Sequence, residues 1–331
     1  MTRSFTDSPA KRERVPLLIG LAGPSGSGKT YSAQRLARGI VRVIGGSVYG
    51  IDTEHGRMLH YAPTAGQPAD PDRGTFDFVH VPFAPPFGPL DYLAAIKHSV
   101  SRGASVVIVD SFSHEHEGEG GVLDMHEAEL DRMAGNDWEK RKRCSAGAWI
   151  KPKAERRQLI NGVLQMGVTL IACFRAQQKL DWKNKSTSGP DKGQPIDLGW
   201  QPIAGSAFIY EMTARALLPP GCDGVPEWEP KIQGEKDLVK RPSQFRELFA
   251  RMAGKPLSEE MGEEMARWAC GQSADIVASP GDVPAAIATA PTPAKLKALW
   301  TMLTPDQQNE FKPAFAERKA QMQQRQPGEE G

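Results

Sequence analysis

The chain has 331 residues, 39% of them hydrophobic and 24% charged, with 41 Lys+Arg against 40 Asp+Glu for a net charge of +1. That balance fits one sizeable globular core with a smaller element beside it. It excludes a uniformly basic, nucleic-acid-coating chain, so any basic surface has to be local. Cys144, Cys173, Cys222 and Cys270 stand far apart with no C-x-x-C pair, which argues for reduced thiols in a cytoplasmic protein and against a zinc or redox motif. No apolar run reaches the ~18 residues that a membrane span needs.

Met1–Arg14 is polar and basic with no apolar stretch behind it, and reads as a flexible tail rather than a signal peptide. Val15–Ala22 (VPLLIGLA) reads as a fully buried parallel strand. It leads into the glycine-rich stretch Gly23–Thr30 and then a helix with Ala33, Leu36, Ala37 and Ile40 on one face. Further strands are expected at Ser47–Asp52, Phe76–Phe83, Ser105–Asp110 and Val168–Cys173, alternating with helices such as Leu90–Val100 and Pro152–Met166. Such alternation predicts an α/β fold with a mostly parallel sheet covered on both faces. Phe208–Leu218 reads as one more strand and Gln244–Met252 as a helix closing the core. The domain division that follows is a core over 15–253, a helical extension over 254–273 and an Ala/Pro/Gly-rich linker over 274–293. Two helices are expected within 294–323, packing through Leu296, Leu299, Met302 and Leu303, before a disordered polar end over 324–331.

The chemistry starts at GPSGSGKT, Gly23–Thr30, which matches G-x-x-x-x-G-K-[ST] between a strand and a helix. Glycines let backbone N–H groups curl inward around a phosphate chain, and the helix N-terminus adds partial positive charge. Gly23, Pro24, Ser25, Gly26, Ser27 and Gly28 form the cradle, Lys29 is expected to reach the β- and γ-phosphates, Thr30 to hold Mg²⁺, and Tyr31 at the helix start to join the nucleotide-binding residues. ATP and Mg²⁺ are the implied cofactors. Asp110, ending SVVIVD, supplies a carboxylate opposite Thr30 for the same cation. Hydrolysis also needs a group that deprotonates water. The residue after Asp110 is Ser111, so the base has to come from elsewhere, and Glu54 in GIDTEHGR (Gly50–Arg57) lies just past a strand that opens on the same sheet edge.

The ordered set GPSGSGKT, IDTEH (Ile51–His55) and VIVDS (Val107–Ser111) resembles the RecA-like recombinase ATPases. It is most similar to the phage-encoded RecA-like ATPases associated with single-strand annealing, whose D-S-x-S-H-E-x-x-G-x-G-G segment is present as Asp110–Gly121, with His116 where the family usually has tryptophan. The likeness covers about Leu17 to Phe249. It implies a RecA-like P-loop core, ATP hydrolysis with Glu54 as base, a role in phage recombination or replication in a host cytoplasm, and self-association. It also implies a γ-phosphate sensor at the end of the strand after Asp110's, where Arg175 is the first choice ahead of Gln177 and Gln178, since a guanidinium can stabilise phosphoryl charge. The third implied role is contact with single-stranded DNA through loops beyond those strands, with an annealing or single-strand-binding protein as partner.

Two stretches have the composition for DNA contact. Gln178–Gly205 is long, polar and glycine-containing, and reads as a loop carrying Lys183 and Lys185 with Trp182 and Trp200, cations for phosphates and rings for stacking. Lys140, Arg141, Lys142 and Arg143 form a KRKR run continued by Lys151, Lys153, Arg156 and Arg157. Two other readings share the P-loop: a nucleotide-gated adaptor that binds without turnover, and a small-molecule kinase, which leaves Glu54 and Asp110–Gly121 unexplained. A transporter-type ATPase is disfavoured because no L-S-G-G-Q stretch is present. His114, His116 and His126 lack the spacing of a tetrahedral metal site.

Overall fold

A computed structural model describes residues 15–185, 193–236, 238–271 and 305–324, with positions 7, 284, 287, 288, 296, 299 and 300. The chain divides into two compact units, Met1–Gln272 and Ser273–Gly331. The first begins with β1 (Leu18–Gly23), α1 (Lys29–Ile44), β2 (Ser47–Asp52), β3 (Val79–Pro82), α2 (Pro89–Ser101) and β4 (Ala104–Asp110). Helices α3 (His114–Glu117), α4 (Val122–Ala134), α5 (Trp138–Ala148) and α6 (Ile150–Gln165) precede β5 (Thr169–Lys185) and β6 (Pro195–Pro202). Then come α7 (Ser206–Glu211), β7 (Ala214–Leu217), α8 (Gln233–Lys236), α9 (Arg246–Arg251) and α10 (Glu259–Ala269).

The strands form a sheet in the order β3-β2-β4-β5-β1-β7, each neighbouring pair parallel, with β6 pairing antiparallel to β5 off that path. This is the mostly parallel α/β architecture expected of a RecA-like P-loop core. Both faces are dry, which is why the strands read as unbroken apolar runs. In β4, Val106 and Ile108 join Leu36 and Ile40 of α1 on one face, while Val107 and Val109 join Tyr92 and Ile96 of α2 and Leu159 of α6 on the other. Helix α10 belongs to the first face. Its Met261, Met265 and Ala266 sit in the same apolar cluster as α1, and Val15 N–H donates to the Ala269 carbonyl at 3.0 Å.

Four expectations differ from the observed elements, the first only in length: the strand expected over Phe76–Phe83 is β3, Val79–Pro82. Phe208–Leu218 is not one strand: residues 206–211 are helix α7, and only Ala214–Leu217 pairs with β1. Phe208 and Ile209 are buried, and a short apolar run fits a buried helical turn as well as a strand. The expected strand Val168–Cys173 continues to Lys185, and Gln178–Gly205 is largely a β-hairpin made by β5 and β6. Its alternating polar residues conceal strands that leave the main sheet and have no buried face to show. The helix expected over 244–252 begins as a 3₁₀ turn, Ser243–Phe245, and becomes α-helical only at Arg246.

In the second unit the helix Pro305–Gln324 is described, and Phe315 packs in a small core with Ile287, Leu296, Leu299 and Trp300. The tail 1–14 apart from Asp7, most of 272–304 (Met302 and Leu303 included) and the end 325–331 lie outside the described residues. Of the expected linker 274–293 only 284, 287 and 288 are described, all helical, and Ile287 is buried in that small core rather than lying in a plain linker.

Candidate nucleotide site

Parallel pairing brings the C-terminal strand ends to one edge. Gly23 is in register with Arg175, Cys173 with Asp110, and Asp110 with Asp52. Strand β5 therefore lies between the strand that ends in the glycine loop and the strand that ends in Asp110, and Arg175 stands between them at the point where β5 leaves the main sheet and pairs on with β6. Ligands of open α/β sheets bind beyond this edge. A cleft of about 790 Å³ opens there, lined by the loop, Glu54, Asp110 and Arg175 together with Arg57, His60 and Tyr61.

The loop has little room for side chains. A Cβ on Gly23 would meet the Leu218 carbonyl and the Ser27 hydroxyl, and Gly28 has φ +83° with the Gly224 backbone behind it. Helix α1 starts at Lys29 with no acidic residue in its first turn, so its N-terminal dipole is left for an anion. Ser27 and Lys29 are buried, Ser25 and Gly26 exposed, and Tyr31 half-buried against Tyr61 and Phe76. Lys29 Nζ donates to the Pro24 carbonyl at 2.7 Å, lying across the loop. Burial lowers its pKa, against the raising influence of Asp110 and Glu54.

Thr30 Oγ1 donates to Asp110 Oδ2 at 2.5 Å, so the two expected cation ligands are adjacent. Both offer hard oxygen donors, the set that suits Mg²⁺ shared with phosphate oxygens. Asp110 is 7% exposed, and burial pushes its carboxyl up to about 6 even though Thr30 and Lys29 pull it down. A buried carboxylate kept next to a lysine and a hydroxyl fits a bound cation better than it fits a purely structural role. The histidines do not gather. His116 faces Arg156, His126 stacks on Trp149 at 4.2 Å, and no group of three metal-ligating side chains occurs among the described residues.

Glu54 faces the loop across the cleft and is held by two guanidinium groups. Arg175 Nε and Nη2 donate to Oε1 at 3.0 and 2.8 Å, and Arg57 Nη1 donates to Oε2 at 3.1 Å. Burial alone would raise Glu54, but Arg175 and then Arg57 outweigh it and keep its carboxyl below the ordinary value. The backbone is fixed as well, since Glu54 N–H donates to Asp52 Oδ1 at 2.7 Å and Met58 N–H to Asp52 Oδ2 at 3.0 Å. In the sequence Glu54 and Arg175 stand as separate candidates; the fold makes them a pair. No motif points to Arg57, His60 or Tyr61, whose only signal is proximity in sequence to Glu54.

Arg156 of α6 makes a bidentate pair with buried Glu115, at 2.9 and 2.8 Å, and lies against Gly205, which precedes α7. Arg156 is thus taken out of the basic run. Arg141 is too, being paired with Asp131 and Glu127, and Lys151 lies 3.6 Å from Glu129. Lys140, Lys142 and Arg143 stay exposed on α5, with Lys142 over the Trp138 ring. On the hairpin, Trp182 is 72% exposed, while Trp200 is half-buried with its backbone N–H donating to Oε1 of buried Glu235 at 2.8 Å. Lys183 and Lys185 lie on the β5 backbone, and their side chains fall outside the described residues. Among the described residues no helix is long and apolar enough to cross a membrane.

No family model matches the chain, and no curated protein matches it at a significant level. Among solved structures it is similar to a KaiC-like protein, PH0186, from the hyperthermophilic archaeon Pyrococcus horikoshii OT3, with 16% identity over 59% of this chain and 99% of that one and a TM-score of 0.25. A score that low carries nothing about the chemistry, which rests on the strand order and the residues around the cleft.

Proposed function

We propose that this chain is a RecA-like P-loop ATPase that binds ATP with Mg²⁺ at Gly23–Thr30 and hydrolyses the γ-phosphate. The supporting observation is the convergence of Lys29, Thr30, Asp110, Glu54 and Arg175 on one cleft from four neighbouring strands, β1, β4, β2 and β5. Loop N–H groups and the α1 terminus hold the phosphate chain, and Lys29 exchanges the Pro24 carbonyl for phosphate oxygens, with Tyr61 lining the same cleft. Thr30 and Asp110 would hold the cation, which when bound neutralises charge on the β- and γ-oxygens. Glu54 takes the proton of the attacking water, and Arg175 balances charge building on the phosphoryl group.

Arg175 begins the part of β5 that becomes the hairpin, and Ile203 N–H, just past β6, donates back to the Arg175 carbonyl at 2.8 Å. A guanidinium that turns toward the γ-phosphate thereby pulls on the hairpin root. The hairpin, with exposed Trp182, and the three exposed cations of α5 are the surfaces we assign to single-stranded DNA. Phage recombination, an annealing or single-strand-binding partner and self-association complete this reading. Phosphate release from ATP, with and without Mg²⁺ and a single-stranded oligonucleotide, tests it. Mg²⁺-dependent release stimulated by the oligonucleotide is expected. The nucleotide-gated adaptor stays as a second reading because both Glu54 oxygens are occupied by arginines; it predicts ATP binding with no phosphate released.

A further inference from the structure

Just past β2, in the turn that leads to Glu54, one residue, Thr53, joins this chain segment to the end of β4, which carries Asp110, by its backbone and by its side chain. Thr53 is 1% exposed. Its N–H donates to the Asp110 carbonyl at 2.9 Å, and its Oγ1 accepts from Ser111 N–H at 2.8 Å. The same Oγ1 lies 2.8 Å from His114 Nδ1 and 3.1 Å from the Ser111 carbonyl, which already accepts from Tyr92 at 2.8 Å. His114 is set in turn by stacking on Phe87, ring centroids 5.1 Å apart.

We propose that Thr53 and His114 act as a positioning pair that fixes the base Glu54 relative to the cation ligand Asp110. This rests on the reading of Glu54 as the base. The β2–β4 ladder ends at the Asp52–Asp110 pair, and beyond it the turn that carries Glu54 is held at its start by Asp52, which accepts from Glu54 N–H, and is tied to β4 through Thr53. Thr53 is the link from that turn to the cation-ligand strand, its hydroxyl anchored on Ser111 just past β4 and on His114 of α3. A base displaced by an ångström loses most of its advantage although every binding group stays in place. The loss should therefore fall on turnover and not on nucleotide affinity.

The test uses His114→Asn, whose amide can meet Thr53 where Nδ1 does, and His114→Phe, which keeps a ring against Phe87 but has nothing to bond Thr53. Thr53→Val and Thr53→Ser form a second pair, and Glu54→Gln is the reference. Melting midpoint, affinity for a non-hydrolysable ATP analogue with Mg²⁺, kcat and KM are measured for each. His114→Phe and Thr53→Val should lose about tenfold or more in kcat with analogue affinity within about threefold, while His114→Asn and Thr53→Ser keep most of kcat. If His114→Phe turns over like the wild type, or if His114→Asn falls as far as His114→Phe, the positioning role is wrong. Should Thr53→Val fail to fold, the His114 pair still decides. Full turnover by Glu54→Gln would overturn the base assignment itself. Loss in Glu54→Gln with none in the other variants would overturn only the pair.

Discussion

Asp110 shows most directly what a site can cost a fold. Its carboxyl is pushed from an ordinary 3.8 to about 6 by burial, so the folded chain holds a proton over a range of pH in which the unfolded chain has released it. In that window the native state binds more protons, and stability falls as pH rises through it; the whole cost is present above about 6. Asp110→Asn should therefore stabilise the nucleotide-free protein at about pH 7.5, by on the order of 3 kcal/mol, and change little at about pH 4. The same variant should lose Mg²⁺-dependent hydrolysis. Calorimetry at the two pH values checks the first expectation, and phosphate release the second. Individual residues of the loop were legible because spacing alone dictates their chemistry. Thr53, His114 and the Glu115–Arg156 pair were not, because their roles depend on partners that only the fold brings near.

Among the elements, α1 and α10 approach closely enough to need glycine on both sides. A Cβ on Gly39 would fall on the Glu259 carbonyl, and one on Gly262 on the Leu36 carbonyl. In an isolated helix Gly→Ala gains about 1 kcal/mol. Here the added methyl has to push two helices apart, at about 1–3 kcal/mol, so Gly39→Ala should be destabilising, as a urea midpoint will show. The hairpin raises a different expectation. If the exposed Trp182 ring stacks on a base, Trp182→Ala should cost about 1–3 kcal/mol in single-strand affinity while keeping the salt slope. Replacing Lys140, Lys142 and Arg143 by alanine should flatten that slope by up to about 0.7 for each phosphate no longer neutralised. Anisotropy of a labelled oligonucleotide across salt separates the two. Strands β1, β2 and β4 were readable because burial on both faces makes them continuously apolar. The hairpin and α7 were not, since polar alternation hides the one and a short apolar run misstates the other.

At the scale of the whole molecule, the cleft, its strand ends and both apolar faces lie within the unit Met1–Gln272. A chain ending at residue 272 should accordingly melt in one transition and bind ATP with Mg²⁺ as tightly as the full protein, measurable by calorimetry and titration. The α/β class followed from alternation of strands and helices, yet what makes a site of it is the insertion of β5 between β1 and β4, which no local pattern encodes. That insertion sets Arg175 opposite Glu54, and the central claim is that this edge hydrolyses ATP with Glu54 as base. Comparing wild type with Glu54→Gln tests it most directly, with analogue affinity and phosphate release measured on the same preparations in Mg²⁺. Affinity kept within about threefold, with release lowered by on the order of 10²-fold or more, is the predicted result. Equal release by both proteins would contradict the account.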